Sequence, residues 1–237
     1  MSAIRLFWAT LLGLLVGLSG TLIGGWLVLK RALTKTTQQG WLLGFSGGIM
    51  LIVVILDLWP EAWYFGGALS ACGGSIIGML LVQSAEPLLR FIPWYQQRRF
   101  SRFAKVGILL GLGIGFHNFP EGVALGTVFT ANQAISNWLG LALLMALHNI
   151  PEGMVMAAAL KFGKVSSFKI ALALFLVELP MACGATLGAF LGELSPQMVS
   201  LSLGFAGGAM FLLVLKELIP LAKKIAGAFW IGYGFTV

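Results

Sequence analysis

Two copies of one six-residue motif carry the side chains best suited to chemistry. They read His-Asn-Phe-Pro-Glu-Gly at 117–122 and His-Asn-Ile-Pro-Glu-Gly at 148–153, and they hold the only two histidines of the chain. Each lies in a long apolar segment, where an ionisable side chain is costly and therefore indicates function. On a helix, a histidine and a glutamate four residues apart share one face. Imidazole nitrogen with carboxylate and amide oxygen is a ligand set for divalent cations, so the motifs predict an intramembrane metal site. The candidate ligands are His117, Asn118, Glu121, His148, Asn149 and Glu152.

The motif prolines add a second reason to expect a binding site. Pro120 and Pro151 lack a backbone N–H, so each frees the carbonyl four residues earlier. Within a membrane a freed carbonyl is tolerated only where protein, water or an ion satisfies it. Glu178, with Pro180 two residues later, repeats this order of acid and proline in a third apolar segment. A simple pair of proline kinks explains a lone motif, but not two motifs and a third carboxylate.

The composition predicts an all-α polytopic membrane protein. Apolar residues make up 59% of the chain, charged residues 10%, and the mean hydropathy is +0.95. These values exclude a soluble domain. Spans of about 20 residues divide the chain into eight transmembrane helices within one domain, 1–237. They are expected near 7–29, 40–59, 64–85, 106–130, 138–160, 168–192, 197–221 and 225–237, the last being short for a full span.

Glycine pairs and an internal repeat predict how these helices pack. Glycines four residues apart let helices approach closely in lipid, as at 44/48, 74/78, 111/115, 184/188 and 204/208. The phrases at 44–62 and 204–222 are identical at nine of nineteen positions. Their helices are predicted to run in opposite directions, which is typical of the inverted repeats of alternating-access transporters. We therefore expect helices 1–3 and 6–8 to surround the central helices 4 and 5.

The net charge of +7 is sorted by side of the membrane. Basic residues fall on alternate connections, so the positive-inside rule places both termini outside the cytoplasm of a plasma or inner membrane. The cytoplasmic loop 86–105 mixes basic with aromatic residues. Such a mixture can bind single-stranded nucleic acid. On a membrane protein it favours contact with anionic lipid, so we predict a lipid partner and no nucleic-acid partner.

The chain resembles the ZIP family of divalent metal transporters, in its bacterial branch. The resemblance rests on HNFPEG, HNIPEG, the Glu-x-Pro of the following span and DLWPE at 57–61. It implies a two-metal site between the fourth, fifth and sixth helices, a helix bundle that moves against a scaffold, and often a homodimer. His117, Glu121, His148 and Glu152 would hold one metal. Asn118, Asn149 and Glu178 would hold the second, with Glu121 and Glu152 bridging.

Two further acids lie near span ends. Asp57 and Glu217 could relay metal at the entrance and exit, or they could be interfacial acids without a transport role. Lys216 departs from the family pattern, which has an acid or a histidine there, and this weakens the exit relay at Glu217.

The predicted function is transport of divalent cations such as zinc, iron, manganese, cobalt or cadmium. The metal is substrate and no catalytic cofactor is expected. Three glutamates at membrane depth cannot all stay ionised without cations, so we expect metal binding to displace protons. The competing hypothesis is a membrane-embedded dinuclear metal hydrolase, which would need an open coordination position and a separate acid or nucleophile. No HExxH motif or third histidine supports it. A metal-gated sensor without flux is a third hypothesis.

Overall fold

The computed structural model describes residues 3–30, 36–89, 91, 101–130, 135–191, 195–225 and 227. All regular elements in these ranges are helical, as predicted. The helices are α1 (Ala3–Lys30), α2 (Thr36–Val53), α3 (Trp59–Leu89), α4 (Arg102–Thr130), α5 (Ile135–Phe162), α6 (Ser167–Leu176), α7 (Leu179–Leu191) and α8 (Pro196–Leu213). Two π-helical turns, π1 (Val54–Leu58) and π2 (Val214–Leu218), follow α2 and α8. Helical residues continue from 219 to 225.

Six segments of the described chain are long and apolar enough to cross a membrane. Seven of the eight predicted spans fall within them, because the segment Thr37–Ala85 includes both 40–59 and 64–85. The eighth, 225–237, lies almost wholly outside the described residues, as do residues 92–100 of the predicted loop 86–105. The count of eight spans therefore stays a prediction. The six segments are Ala3–Lys30, Thr37–Ala85, Arg102–Thr130, Trp138–Phe162, Ser167–Leu191 and Pro196–Ile225.

The second predicted span does not end at 59, and that boundary was wrong. Helical structure continues past Pro60 to Gly67, where φ is 73° and ψ is −178°. This backbone conformation is open essentially to glycine alone, so the helix is interrupted there. A proline normally ends a helix, because its ring clashes with the carbonyl four residues earlier.

The π turns explain how the helices pass their prolines. In π1 the Trp59 N–H donates to the Val54 carbonyl, five residues back. Ile219 donates to Val214 in the same way in π2. Each turn widens the helix directly before a proline, Pro60 or Pro220, which gives the ring room. The two turns occupy the same position in the phrases 44–62 and 204–222.

Among the described residues, three pairs of helices touch backbone to backbone at glycines. A Cβ added at these glycines would strike backbone atoms of the partner helix. The contacts confirm the close packing predicted for 74/78, 184/188 and 204/208. Gly111 instead faces the side chain of Met156, so the pair 111/115 does not form such a backbone contact. The glycines are Gly74, Gly78, Gly204 and Gly208 between α3 and α8, Gly122, Gly126, Gly184 and Gly188 between α4 and α7, and Gly20, Gly24 and Gly153 between α1 and α5.

The paired helices are parallel. Along α3 and α8, for example, Gly74 faces Leu201, and Gly78 faces Phe205 one turn further on in both helices. The same rise of residue number holds for α4 with α7 and for α1 with α5. The three pairs correspond to predicted spans 3 and 7, 4 and 6, and 1 and 5. If successive spans alternate in direction, two odd-numbered or two even-numbered spans run the same way, so the parallel pairing agrees with the predicted directions.

Candidate metal-binding site

The two motifs lie in the middle of α4 and α5, and their histidines and glutamates pair across the two helices. His117 Nε2 lies 2.9 Å from Glu152 Oε1, and His148 Nε2 lies 3.2 Å from Glu121 Oε2. The sequence predicted that the histidine and the glutamate of one motif share a helix face. In the structure, each histidine pairs with the glutamate of the other motif. All four side chains are buried, with at most 6% of any one exposed.

The imidazole geometry requires a cation or a proton at the first pair. His117 Nδ1 lies 3.0 Å from the Gly113 carbonyl oxygen, which can only accept, so Nδ1 carries a hydrogen. In a neutral imidazole Nε2 is then an acceptor, and it faces a carboxylate oxygen that also accepts. A proton or a metal ion between the two atoms resolves this conflict.

Two of the remaining predicted ligands, Asn118 and Glu178, meet at a break in the predicted sixth span. Glu178 lies between α6 and α7, and Pro180 falls in the first turn of α7, where its missing N–H is not needed. Asn118 Nδ2 donates to Glu178 Oε2 at 3.0 Å and to the Val177 carbonyl at 3.2 Å. The predicted sixth span is thus two helices, and its break carries the carboxylate.

Several buried polar atoms of this region have no hydrogen-bond partner. Buried polar groups are normally satisfied, and an unpaired one is costly. Most of the atoms here carry lone pairs that a divalent cation could accept. The unpartnered atoms are Asn118 Oδ1, Glu121 Oε1, His148 Nδ1, Glu152 Oε2, and Oδ1 and Nδ2 of Asn149. The donor set therefore fits a metal ion as bound substrate.

The predicted ligands form pairs and do not form a closed coordination shell. Within the described residues, no three histidine, cysteine, aspartate or glutamate side chains stand together as a metal-binding group. The structure brings together His117 with Glu152, His148 with Glu121, and Asn118 with Glu178. The division of these residues between two metals stays a prediction.

The predicted relay residues occupy the π turns. Asp57 is half-buried in π1, and Glu217 is half-buried in π2. The unexpected Lys216 is exposed, and its Nζ donates to Gln83 Oε1 of α3. This hydrogen bond links π2 to α3. The relay roles themselves stay predictions.

The sequence analysis missed one residue of this site. Thr21 of α1 donates to Glu178 Oε1 at 2.5 Å and is 1% exposed. The sequence does place the Thr21 hydroxyl on a face of α1 that also carries the small residues Gly13 and Gly17. Such a stripe indicates helix contact, but the sequence does not say which helix it meets.

Comparison with known proteins identifies the family. A family profile described as "ZIP Zinc transporter" matches residues 95–232, which include both motifs and Glu178. The chain is 32% identical over 225 residues to the "Zinc transporter ZupT" of Salmonella arizonae, covering 91% of this chain and 86% of the relative. The protein of the same name from Escherichia fergusonii matches with the same identity and coverage. The chain belongs to the ZIP family.

Membership of the ZIP family confirms the resemblance seen in the motifs. Together with the six apolar helical segments, it makes the chain a multi-pass integral membrane protein. The ZIP relatives are named as transporters, in agreement with a protein that carries metal and is not an enzyme.

Proposed function

We propose that this ZIP-family chain carries divalent metal ions, zinc among them, across a membrane by alternating access through an intramembrane two-metal site. The observation that carries the proposal is the crossed pairing of two histidines and two glutamates between α4 and α5. Four such groups buried at membrane depth are costly unless they bind a cation. The names of the relatives support zinc as one of the ions.

The unpartnered atoms support a two-metal arrangement. Glu121 and Glu152 each have one oxygen beside a histidine and one without a partner. A carboxylate held in this way is suited to bridge two cations. His117 and His148 would complete the first site with these two glutamates. The second site would use Glu178, Asn118 and Asn149, whose Oδ1 atoms also have no partner.

The helix pairs support movement of one part of the molecule against another. The predicted ligands lie on α4, on α5 and in the break between α6 and α7, and these elements pack with one another and with α1. The pair α3 and α8 supplies none of the predicted ligands. A groove of about 320 Å³ lies where this pair meets α4 beside the first motif, and its lining includes Ile77, Phe116, Phe119 and Phe205. Incomplete packing along this groove leaves room for displacement.

Three further features belong to the proposal. The matching π turns in 44–62 and 204–222 support an inverted repeat, since the two phrases share a local distortion as well as residues. Both termini would lie outside the cytoplasm, in a plasma or inner membrane, and the protein would work as a homodimer. Asp57 and Glu217 would serve at the entrance and exit.

Zinc flux into proteoliposomes tests the proposal. We expect His148→Ala and Glu152→Ala each to abolish flux of zinc and of cadmium, because each removes one member of a crossed pair. Lys169→Ala is the control: Lys169 is a charged residue that is exposed and outside the motifs, so flux in this variant should equal that of the wild type. Gel filtration of each purified variant separates loss of function from loss of folding.

Two results would contradict the proposal. Normal flux in a folded Glu152→Ala protein would show that the motif glutamates are not needed for transport. Tight metal binding without flux in the wild type would instead favour the hydrolase or the sensor.

A further inference from the structure

Thr21 of α1 contacts the site from a helix that carries none of the predicted ligands. Its side chain is buried, and its hydroxyl donates to Glu178 Oε1 at 2.5 Å. Hydrogen bonds from a neutral donor to a carboxylate are short and strong. The contact joins positions 157 residues apart in sequence. It is therefore a product of the tertiary fold and not of local helix geometry.

Gly17, one turn before Thr21, leaves the space that the Glu178 carboxylate occupies. A Cβ at Gly17 would lie 3.0 Å from Glu178 Cδ and 2.9 Å from Met181 Sδ, and it would overlap Glu178 Oε2. We call Gly17 and Thr21 the α1 cradle. One residue of the cradle supplies room for the carboxylate, and the other supplies a donor.

The carboxylate is held from two sides. Thr21 binds Oε1 from α1, and Asn118 Nδ2 binds Oε2 from α4 at 3.0 Å. Thr21 also lies against the second motif, since a Cβ at Gly153 would come within 2.7 Å of Thr21 Cα. The threonine thus stands where α1, α5 and the break before α7 meet, and it fixes the position of Glu178 relative to both motif helices.

We propose that Thr21 is a positioning residue of the second metal site, where its hydroxyl orients the Glu178 carboxylate toward the cation. This inference rests on the proposed function, which makes Glu178 a ligand of that site. Each carboxylate oxygen keeps a lone pair after accepting one hydrogen bond, so the cradle leaves Glu178 able to bind metal. Groups that orient a metal ligand in this way raise affinity without touching the ion.

Cadmium binding to the whole chain in lipid nanodiscs, measured by calorimetry, tests the role of Thr21. Thr21→Val keeps the shape but removes the hydroxyl, and we expect it to weaken cadmium binding at the Glu178 site roughly 10- to 100-fold. Thr21→Ser restores the hydroxyl and should restore the affinity. Thr10→Val is the matched control, because Thr10 also bonds from α1 to α7, at 2.6 Å from the Thr186 hydroxyl, away from the site. Its affinity should equal that of the wild type.

A double-mutant cycle separates positioning from general packing. If Thr21 acts through Glu178, Thr21→Val should change nothing further in a Glu178→Gln background. Three results would each overturn the inference. Thr21→Val could lose the same cadmium affinity in both backgrounds, Thr10→Val could lose as much cadmium affinity as Thr21→Val, or the cadmium affinity of Thr21→Val could be unchanged. If Thr21→Val does not survive gel filtration, Thr21→Ala also lacks the hydroxyl and carries the same expectation.

The binding measurement needs no flux, so the two proposals can fail separately. Wild-type protein that binds cadmium but carries no zinc refutes transport, and the ratio of Thr21→Val to wild-type affinity still tests the cradle. Normal flux in the wild type together with unchanged affinity in Thr21→Val refutes only the cradle.

Discussion

Gly208→Ala tests whether the contact of α3 with α8 holds the molecule together. A Cβ at Gly208 would lie 2.6 Å from Ser75 Cα and 2.7 Å from Ser75 C. Ordinary contacts of a Cβ begin at 3.4 Å, so the helices must separate by about 0.8 Å or more. The obstacle is backbone, and no change of rotamer can relieve it. Gly74 and Gly78 contact α8 within the same few turns, so their contacts would open as well.

Two opposing effects decide the magnitude. Overpacking of a filled interface costs about 1–3 kcal/mol. Alanine is favoured over glycine within a helix by up to about 1 kcal/mol. The overpacking term is larger, so we expect a net loss of about 1–2 kcal/mol, which is roughly a tenfold change in the unfolding equilibrium constant.

Heating in detergent followed by gel filtration measures the effect. Gly140→Ala is the matched control, because no atom lies within 4 Å of a Cβ placed there. We expect Gly208→Ala to lose its monodisperse peak at a lower temperature than the wild type, and Gly140→Ala to keep it. Cadmium affinity of folded Gly208→Ala should be unchanged, since neither α3 nor α8 carries a predicted ligand. Equal melting of the two alanine variants would refute the reasoning.

Three other predictions concern the metal and the C-terminal end of α5. Metal affinity should fall as the pH is lowered from about 7.5 to 5.5, because imidazole and carboxylate ligands must be deprotonated to bind; calorimetry that shows no pH dependence would contradict the ligand set. Lys164, just after the end of α5, has φ 60°. Lys164→Gly should therefore raise the free energy of unfolding by roughly 0.5–1 kcal/mol, and the melting temperature with it. An unchanged melting temperature would show that the residue is not strained. Lys161 Nζ donates to the last carbonyls of α1, at 2.7 Å to Val28 and 3.2 Å to Leu29. Lys161→Met should therefore lower stability by about 1–3 kcal/mol, whereas Lys169→Met, at an exposed lysine, should not; equal melting would exclude the capping role.

The predicted spans show where sequence reasoning is reliable. An apolar run of about 20 residues can satisfy its backbone in lipid only as a helix, so the described spans follow from composition. The break at Gly67 did not follow, because a single glycine within an apolar run does not by itself predict a change of backbone conformation. The π turn that lets the helix pass Pro60 did not follow either, since no local pattern announces a π turn.

Part of the candidate site likewise followed from the sequence, and part did not. The spacing of His117 and Glu121 determined that the two side chains share a face, and the repeat at His148 and Glu152 determined that two such faces exist. Which face meets which is set by the packing of α4 on α5, and there each histidine reaches the glutamate of the other motif.

The sequence by itself determined the family, the helical class and the chemical identity of the candidate ligands, because each depends on residue type and on short spacings. Only the tertiary structure decided the crossed pairs, the parallel helix pairs and the place of Thr21 beside Glu178. These contacts join residues far apart in the chain, and the parallel helix pairs among them pack closely across glycines. Such packing depends on how whole helices fit together.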